Sequence, residues 1–443
     1  MVKKTATAGW GLYPVVDASI RRAHYHRDLC DGAEHPVLAQ GNCRSYGDAC
    51  LCEHIVSTLP LKHLLDFDSQ RGLLRAEAGI TIEEIIRFAL PRGFFPPVTP
   101  GTKFTTLGGC IAADVHGKNH HADGSIAAFV QELDMVLADG SPIRCSRTEH
   151  PDLFWATLGG MGLTGFIYAA ALQLKKVASA HIEQRAIKTA NFAETCRIFA
   201  ETQRHYTYSA AWIDCLRKGR QLGRGLVLLG EHATADKLTG KDPFPLHADG
   251  RFDVPFFFPS FALNTWSMGV FNTLFYHRQW RRSTDGLVHY DPYFYPLDAI
   301  HRWNRIYGRR GFLQYQVVVP YRDGKEIMAE LLGRIASRGI PSLLTVLKSF
   351  GPANDGLLSF PTAGYTLALD IPMRDEGLIP FLRELNKTLV RAKGRVYLAK
   401  DAILEREDFA AMYPQLEEFK AIKRKYDPQY RFRSRLSDRL GIT

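Results

Sequence analysis

The run from Pro100 to Gly165 gathers three clusters of small residues: Leu107-Gly108-Gly109 to Ala112-Ala113, Asp123-Gly124-Ser125, and Gly159-Gly160 through Gly162 to Gly165. Glycine has no Cβ, so such a segment can bring its backbone N–H groups against a ligand and adopt positive φ. Repeated clusters inside one globular segment suit a large, flat, phosphate-bearing ligand lying along the main chain. Taken singly, each reads equally well as a turn in a loop-rich sheet domain. Their concentration around His116-Gly117-Lys118-Asn119-His120-His121 favours a cofactor cradle. No GxxxxGKS/T motif is present, and GGMGLTG over 159–165 only imitates GxGxxG, because Phe166 to Leu174 reads as a strand rather than as an opening helix. The ligand is therefore expected between strands, on loops, and not on a Rossmann turn.

A chain of 443 residues, 46% hydrophobic and 23% charged, is ample for a large core and too long for one simple domain. Its eight cysteines all fall in the first half without the density of a secreted scaffold, which makes free thiols in a reducing compartment the expectation. Cys43, Cys50, Cys52 and His54 lack the second pair that would complete a zinc site. The N-terminal MVKKTATAGWGLYPV has no apolar core of a signal peptide, and no apolar run approaches the ~20 residues of a membrane span. The net charge of +10 points to an anionic partner: nucleic acid, an acidic membrane surface or a phosphorylated substrate. Neither a zinc module nor an RNP-like aromatic strand supports nucleic acid.

In chain order, residues 14–30 read as an amphipathic helix, and Pro36 to Ala39 as a short strand running into Gly41-Asn42-Cys43-Arg44-Ser45-Tyr46-Gly47-Asp48. That turn suits a pyrophosphate and equally an ordinary polar turn. Leu73 to Ala78 reads as a strand, and Thr81 with Glu84 as the capping box of a helix to Leu90. Later, Val317 to Val319, Leu343 to Leu347 and Tyr365 to Ile371 read as strands, and Ile327 to Ser337 and Leu378 to Val390 as helices, an antiparallel sheet covered on one face. Between 251 and 282 an aromatic and basic stretch is broken by Pro255, Pro259 and Asn264. It reads as a lipid-facing loop bearing Arg278, Arg281 and Arg282, with a core element capped by basic residues as the alternative.

The order GNCRSYGDA (41–49), PGT (100–102), TLGGCIAADVHGKNHH (106–121), GS (124–125), ADG (138–140) and LFWATLGGMGLTG (153–165) resembles the flavin domain of the vanillyl-alcohol-oxidase, or PCMH, type of FAD oxidoreductases. YTYSAAWID, WNRIYGRRGFLQYQVVVP, FGP with LSFP, and VYLAKD with MYP carry the similarity across nearly the whole chain. Within that group it resembles the flavin subunits that oxidise the 2'-hydroxyl of a polyprenylphosphoryl-β-D-ribose. The resemblance implies an α+β fold: a two-subdomain FAD-binding domain over 1–178, a substrate domain with a helix-flanked antiparallel sheet over 179–395, and a segment over 396–443 that returns to the first domain.

The same resemblance implies FAD held by Arg44, Ser45, Tyr46 and Gly47, by Pro100, Gly101 and Thr102, by Thr106, Gly108, Gly109 and Ala113, by His116, Gly117, Asn119, Gly124 and Ser125, and by Gly165, Ile167 and Tyr397. Asp48 stands where many members carry a histidine that bonds to flavin, which implies non-covalent FAD. Oxidation of a secondary alcohol by flavin requires a two-electron acceptor and a base for the hydroxyl proton. Lys400, His116 and Gln316 are the implied catalytic residues, with Trp212, Gln314, Gln316, Lys348, Thr366 and Ala368 against the substrate. Gln314 and Gln316, two apart in a strand, project from one face. Thr366 and Ala368 replace an asparagine and a cysteine of the family's pocket. The implied partners are the polyprenylphosphoryl pentose, a separate NAD(P)H-dependent keto-sugar reductase and the anionic surface of the inner membrane. The alternative is a related sugar or alditol oxidase acting on another lipid-linked or soluble polyol.

Overall fold

Residues 312–319, FLQYQVVV, are aromatic and β-branched on both faces, the composition of a strand covered on both sides. In the computed structural model, which describes residues 4–29, 36–246, 252–259 and 261–443, they form the strand Phe312–Pro320, buried at every position except Pro320. It belongs to an eight-stranded antiparallel sheet in the order Ser283–His289, His181–Thr189, Gly225–His232, Tyr208–Ile213, Thr345–Phe350, Gly364–Pro372, Phe312–Pro320, Arg395–Val396. Side chains alternate along the strand. Leu313, Tyr315 and Val317 join a core built with the helices Phe192–Thr202, Gly324–Arg338 and Leu378–Arg391, and Tyr315 donates its hydroxyl to Asn386 Oδ1 at 2.9 Å. Gln314 and Gln316 face the other way, into a cleft. The helix Leu378–Arg391 seats Leu378, Leu382, Leu385 and Leu389 on the sheet at three- and four-residue spacing, each burial contributing about 1.5–3 kcal/mol.

The opposite wall of the cleft comes from two smaller sheets. One is antiparallel, in the order Leu64–Asp68, Leu73–Glu77, Phe166–Gln173, Val130–Val136, Pro142–Ser146. The other runs Lys4–Ala8, Val15–Arg22, His54–Ser57, Leu38–Gln40, with one antiparallel and two parallel pairings. The fold is thus α+β. The helix Ile82–Ala89 begins at the expected capping box, with Thr81 accepting from Glu84 N and the Glu84 side chain accepting from Thr81 N. The helix expected over residues 14–30 is instead the strand Val15–Arg22 followed by a 3-10 turn, His26–Leu29. Val16 and Ala18 point inward while Val15 stays 60% exposed, so the real period is two, hidden in the sequence by that one apolar residue on the solvent face.

The stretch after 251 is also corrected. It holds a 14-residue helix, Thr265–Arg278, capped by Asn264 and Ser267, so Asn264 starts a helix rather than breaking the apolar run. Only Met268 and Asn272 of that helix are buried, while Trp266 is 78% and Leu274 68% exposed. Among the described residues no helix is long and apolar enough to cross a membrane. Cys43, Cys50, Cys52, Cys110, Cys145, Cys196 and Cys215 are free thiols, and Cys30 lies outside the described residues.

The last stretch of chain closes onto the first. Val37 bridges to Phe432, and Phe432 packs edge-on against Phe166. Lys423, fully buried, donates to Leu163 O, Phe432 O and Asp427 Oδ2, each at 2.8 Å. Arg439 reaches both oxygens of Asp48, at 2.7 and 2.9 Å, and Asp401 at 2.8 Å.

Candidate active site

Strand Leu38–Gln40 delivers the turn 41–46 to one end of the cleft. Arg44 lies over the Trp10 ring at 4.1 Å and near Phe104 at 5.2 Å, and its Nε is buried without a partner among the described residues. Thr106 caps the six-residue helix Leu107–Ala112. A Cβ on Gly108 would sit 2.9 Å from Ala78 Cβ, so that glycine lets the helix lie on the strand side of the wall. Gly101 and Gly162 differ: a Cβ on either would meet nothing within 4 Å, only cleft.

Most of the expected cofactor residues line this one cleft: Arg44, Ser45 and Tyr46; Pro100, Gly101, Thr102 and Thr106; Gly108, Gly109 and Ala113; His116, Gly117, Gly165, Ile167 and Tyr397. Gln314, Gln316, Lys348, Ala368 and Lys400 line it too. Six lie elsewhere. Gly47 packs on the C-terminal segment, where a Cβ would fall 1.5 Å from Asp401 O. Asn119 is buried and donates to Pro97 O and Asp123 Oδ2, tying its own loop. Gly124, at φ 78°, ends the short helix His120–Asp123. Ser125 is bridged to the His116 backbone and accepts from Asn354. Trp212 packs on Phe275 at 4.8 Å, leaving Ala210 of the same strand in the cleft. Thr366 sits behind Gln316, accepting from its Nε2 at 3.5 Å.

His116 is the hub. Its Nε2 is 2.9 Å from Gln316 Nε2 and its Nδ1 3.1 Å from Lys348 Nζ, and the rings of Phe350, Tyr397 and Phe360 surround it at 4.6, 5.4 and 5.8 Å. Burial first, and then the charge of Lys348, push its pKa well below 6.5, so the imidazole is neutral. A neutral imidazole has one N–H and one lone pair. If Gln316 presents its NH₂, His116 donates from Nδ1 to a neutral Lys348. If the amide is turned over, Lys348 donates as an ammonium. Burial, with Lys118 and Lys400 adding to it, brings Lys348 down to about 7, so both forms are accessible near neutral pH.

Lys400 stands with Nζ 3.9 Å above the Tyr46 ring. Burial lowers its pKa to about 7, against the pull of Asp370. Asp370 is fully buried, accepts from Gln314 Nε2 at 2.6 Å, and is itself raised to about 7 by burial. Sequence reasoning missed Asp370, because placing it opposite Gln314 needs the register of Phe312–Pro320 on Gly364–Pro372. It also passed over Lys118, although that lysine sits inside the HGKNHH run and lines the cleft.

A family model described as an FAD binding domain matches residues 27–146, and one described as D-arabinono-1,4-lactone oxidase matches 312–440. Decaprenylphosphoryl-β-D-ribose oxidase of Mycolicibacterium smegmatis is 36% identical over 92% of this chain and 89% of its own length. The chain belongs to the decaprenylphosphoryl-β-D-ribose oxidase family. An uncharacterised protein of Streptomyces coelicolor shares 32% identity over 82% of the chain, covering all of that protein. Human Δ(24)-sterol reductase matches only 26% of the chain, at 30% identity.

As a member of this family the protein is an FAD-dependent oxidoreductase. The cleft suits that cofactor on three counts: open backbone at Gly101 and Gly162, an orphaned Arg44 Nε, and a wall of polar groups from the eight-stranded sheet. When bound, FAD supplies the acceptor for the two electrons taken from an alcohol carbon.

Proposed function

We propose that the enzyme oxidises the 2'-hydroxyl of a polyprenylphosphoryl-β-D-ribose to the 2'-keto sugar. This would be the first half of an epimerisation to the arabinose donor of cell-wall polysaccharide, completed by a separate NAD(P)H-dependent keto-sugar reductase. The observation that carries the reading is the convergence of His116, Gln316, Lys348 and Lys400 on one cleft in a chain of this family. In it, the loops of a domain over 1–178 hold FAD, Gln314 and Gln316 from a domain over 179–395 hold the sugar, and the segment from 396 carries Tyr397 and Lys400 to the reacting centre. Lys400 orients the hydroxyl and offsets negative charge as it develops, an interaction stronger in the transition state than before it. Gln316 and Lys348 engage both ring nitrogens of the neutral His116 and so fix the ring beside the sugar that Gln316 holds.

The lipid is supported by Phe252, Phe261, Trp266, Leu274 and Trp280, which are 68–80% exposed and flanked by Arg278 and Arg281. A peripheral site on the anionic inner membrane needs such a surface; a soluble sugar does not. The match of 312–440 to D-arabinono-1,4-lactone oxidase favours, as the second reading, a soluble polyol or sugar substrate. Anaerobic mixing of the purified holoenzyme with polyprenylphosphoryl ribose should bleach the flavin, while free pentoses and alditols leave it oxidised. Bleaching by a soluble polyol and not by the lipid would replace the first reading with the second.

A further inference from the structure

Several cations removed from bulk water in this protein are paired with a carboxylate. Lys103 meets Asp291 at 2.6 Å, Arg224 meets Asp214 at 2.9 Å, Lys423 meets Asp427 at 2.8 Å and Arg439 meets Asp48 at 2.7 Å. That is the usual rule, because an unmatched buried charge is costly. The cleft breaks it. Among the described residues neither Lys118 nor Lys348 has a carboxylate within 4.0 Å. Lys118 Nζ donates to Phe294 O at 3.3 Å and otherwise lies over the rings of Tyr293 and Phe294. Among the described residues Lys348 Nζ has hydrogen-bond partners only in His116 Nδ1 at 3.1 Å and Gly117 O at 3.4 Å, with the Phe350 ring at 5.8 Å, so it sits beside the peptide that leads into Lys118. Each ammonium has three protons to donate. Burial lowers Lys118 to about 8, and Lys348 is pushed further down in part by Lys118 itself. Two like charges held together in a cleft lack an anion.

We propose that Lys118 and Lys348 form the anion subsite of the cleft and bind the phosphodiester of the substrate. This rests on the reading of the substrate as a polyprenylphosphoryl pentose. In such a substrate the phosphate is borne by the carbon next to the reacting carbinol, so its site must lie about one side chain from the group that contacts the hydroxyl. Lys348 meets that requirement, being joined through the single side chain of His116, at 3.1 and 2.9 Å, to Gln316, which holds the sugar. The subsite would then do two things. It fixes the pentose so that only the 2'-position is presented, and it makes the lysines fully charged only when substrate is bound, since an anion raises the pKa of an amine that burial has lowered. Lys118 becomes a specificity-determining residue for an anionic sugar derivative over a neutral one.

The test uses the FAD-loaded enzyme and diethyl phosphate, a phosphodiester monoanion, with neutral triethyl phosphate as its counterpart. Diethyl phosphate should perturb the flavin absorption saturably and triethyl phosphate should not. Lys118→Met should weaken that binding 10- to 100-fold, Lys118→Arg should restore most of it, and KM for polyprenylphosphoryl ribose should rise with the dissociation constant while kcat changes only a few-fold. Should Lys118→Met fail to fold, the unaltered enzyme still decides: calorimetry at pH 8 in buffers of different ionisation enthalpy should show uptake of about one proton with diethyl phosphate, and no uptake overturns the proposal. Equal affinity in Lys118→Met overturns it as well, and so does a folded Lys118→Met that has lost FAD, which would give the lysines to the cofactor. If lipid-linked ribose fails to bleach the unaltered enzyme yet Lys118-dependent binding of diethyl phosphate persists, the substrate reading fails and the anion subsite stands.

Discussion

Replacing Lys400 with methionine should make the protein more stable and nearly inactive. Burial brings the ammonium from 10.5 to about 7, and at about 1.4 kcal/mol per unit this corresponds to roughly 4–5 kcal/mol. The side chain keeps access to the cleft, and its contact with the Tyr46 ring returns about 1 kcal/mol, so a net cost of roughly 2 kcal/mol is expected once solvent access is discounted. The sign follows from a folded pKa below the unfolded one. The unfolded chain holds the proton over the window from about 7 to 10.5 and the folded one does not. The cost is therefore absent above pH 10.5, grows as the pH falls, and is complete below about 7. Lys400→Met should thus gain a few °C in melting temperature at pH 6.5 and almost nothing at pH 10. Reduction of the flavin by substrate, followed by anaerobic stopped flow, should slow by about 10²-fold or more, the scale for removing one positioned charged group. Flavin content must be measured alongside. A variant that retains FAD and is reduced at the normal rate refutes the catalytic part of this reasoning, and a melting-temperature difference that does not vary with pH refutes the electrostatic part.

Acid precipitation should release all the flavin into the supernatant, because Asp48 is engaged by Arg439 and offers no imidazole to the cofactor; yellow colour left in the pellet would contradict this. Nitroaromatic inhibitors that need a pocket thiol should leave no adduct on the peptide carrying Ala368, which faces the cleft opposite Gln316 and Val346, whereas Ala368→Cys should acquire one by intact-mass analysis. Exchanging Arg278 and Arg281 for serine should weaken binding to anionic vesicles by about 1 kcal/mol per charge at low salt. Arg282 should matter less, being paired with Glu194 at 2.8 Å, and unchanged binding by the double variant would argue against a membrane surface there.

Where local chemistry decided structure, the sequence was readable. Thr81 and Glu84 announce their helix because a capping box involves only four residues. The pair Gln314 and Gln316 announces a polar stripe because a strand has period two. Where partners far along the chain decided, it was not. Val15–Arg22 is a strand because Lys4–Ala8 and His54–Ser57 flank it, and Val15 on its open face disguises the alternation. The helix Thr265–Arg278 has aromatic and aliphatic side chains all round, so no 3.6-residue stripe marks it. In the cleft, motifs located the glycines without separating those that open onto the cleft, Gly101 and Gly162, from those packed against neighbouring chain, Gly47 and Gly108. Only register could set Asp370 beside Gln314.

The bond from Arg439 to Asp48 spans 391 residues of chain. Asp48 closes the turn that carries Arg44 and Tyr46, and Asp401, which accepts from the same guanidinium, follows Lys400 directly. During synthesis, then, the sheets of the first half can pair long before the turn beside them has its anchor. The turn that carries Arg44 and Tyr46 gains this anchor only once Arg439 has left the ribosome, so a nascent chain stalled short of that arginine should pair its first sheets yet hold flavin less firmly than the full chain.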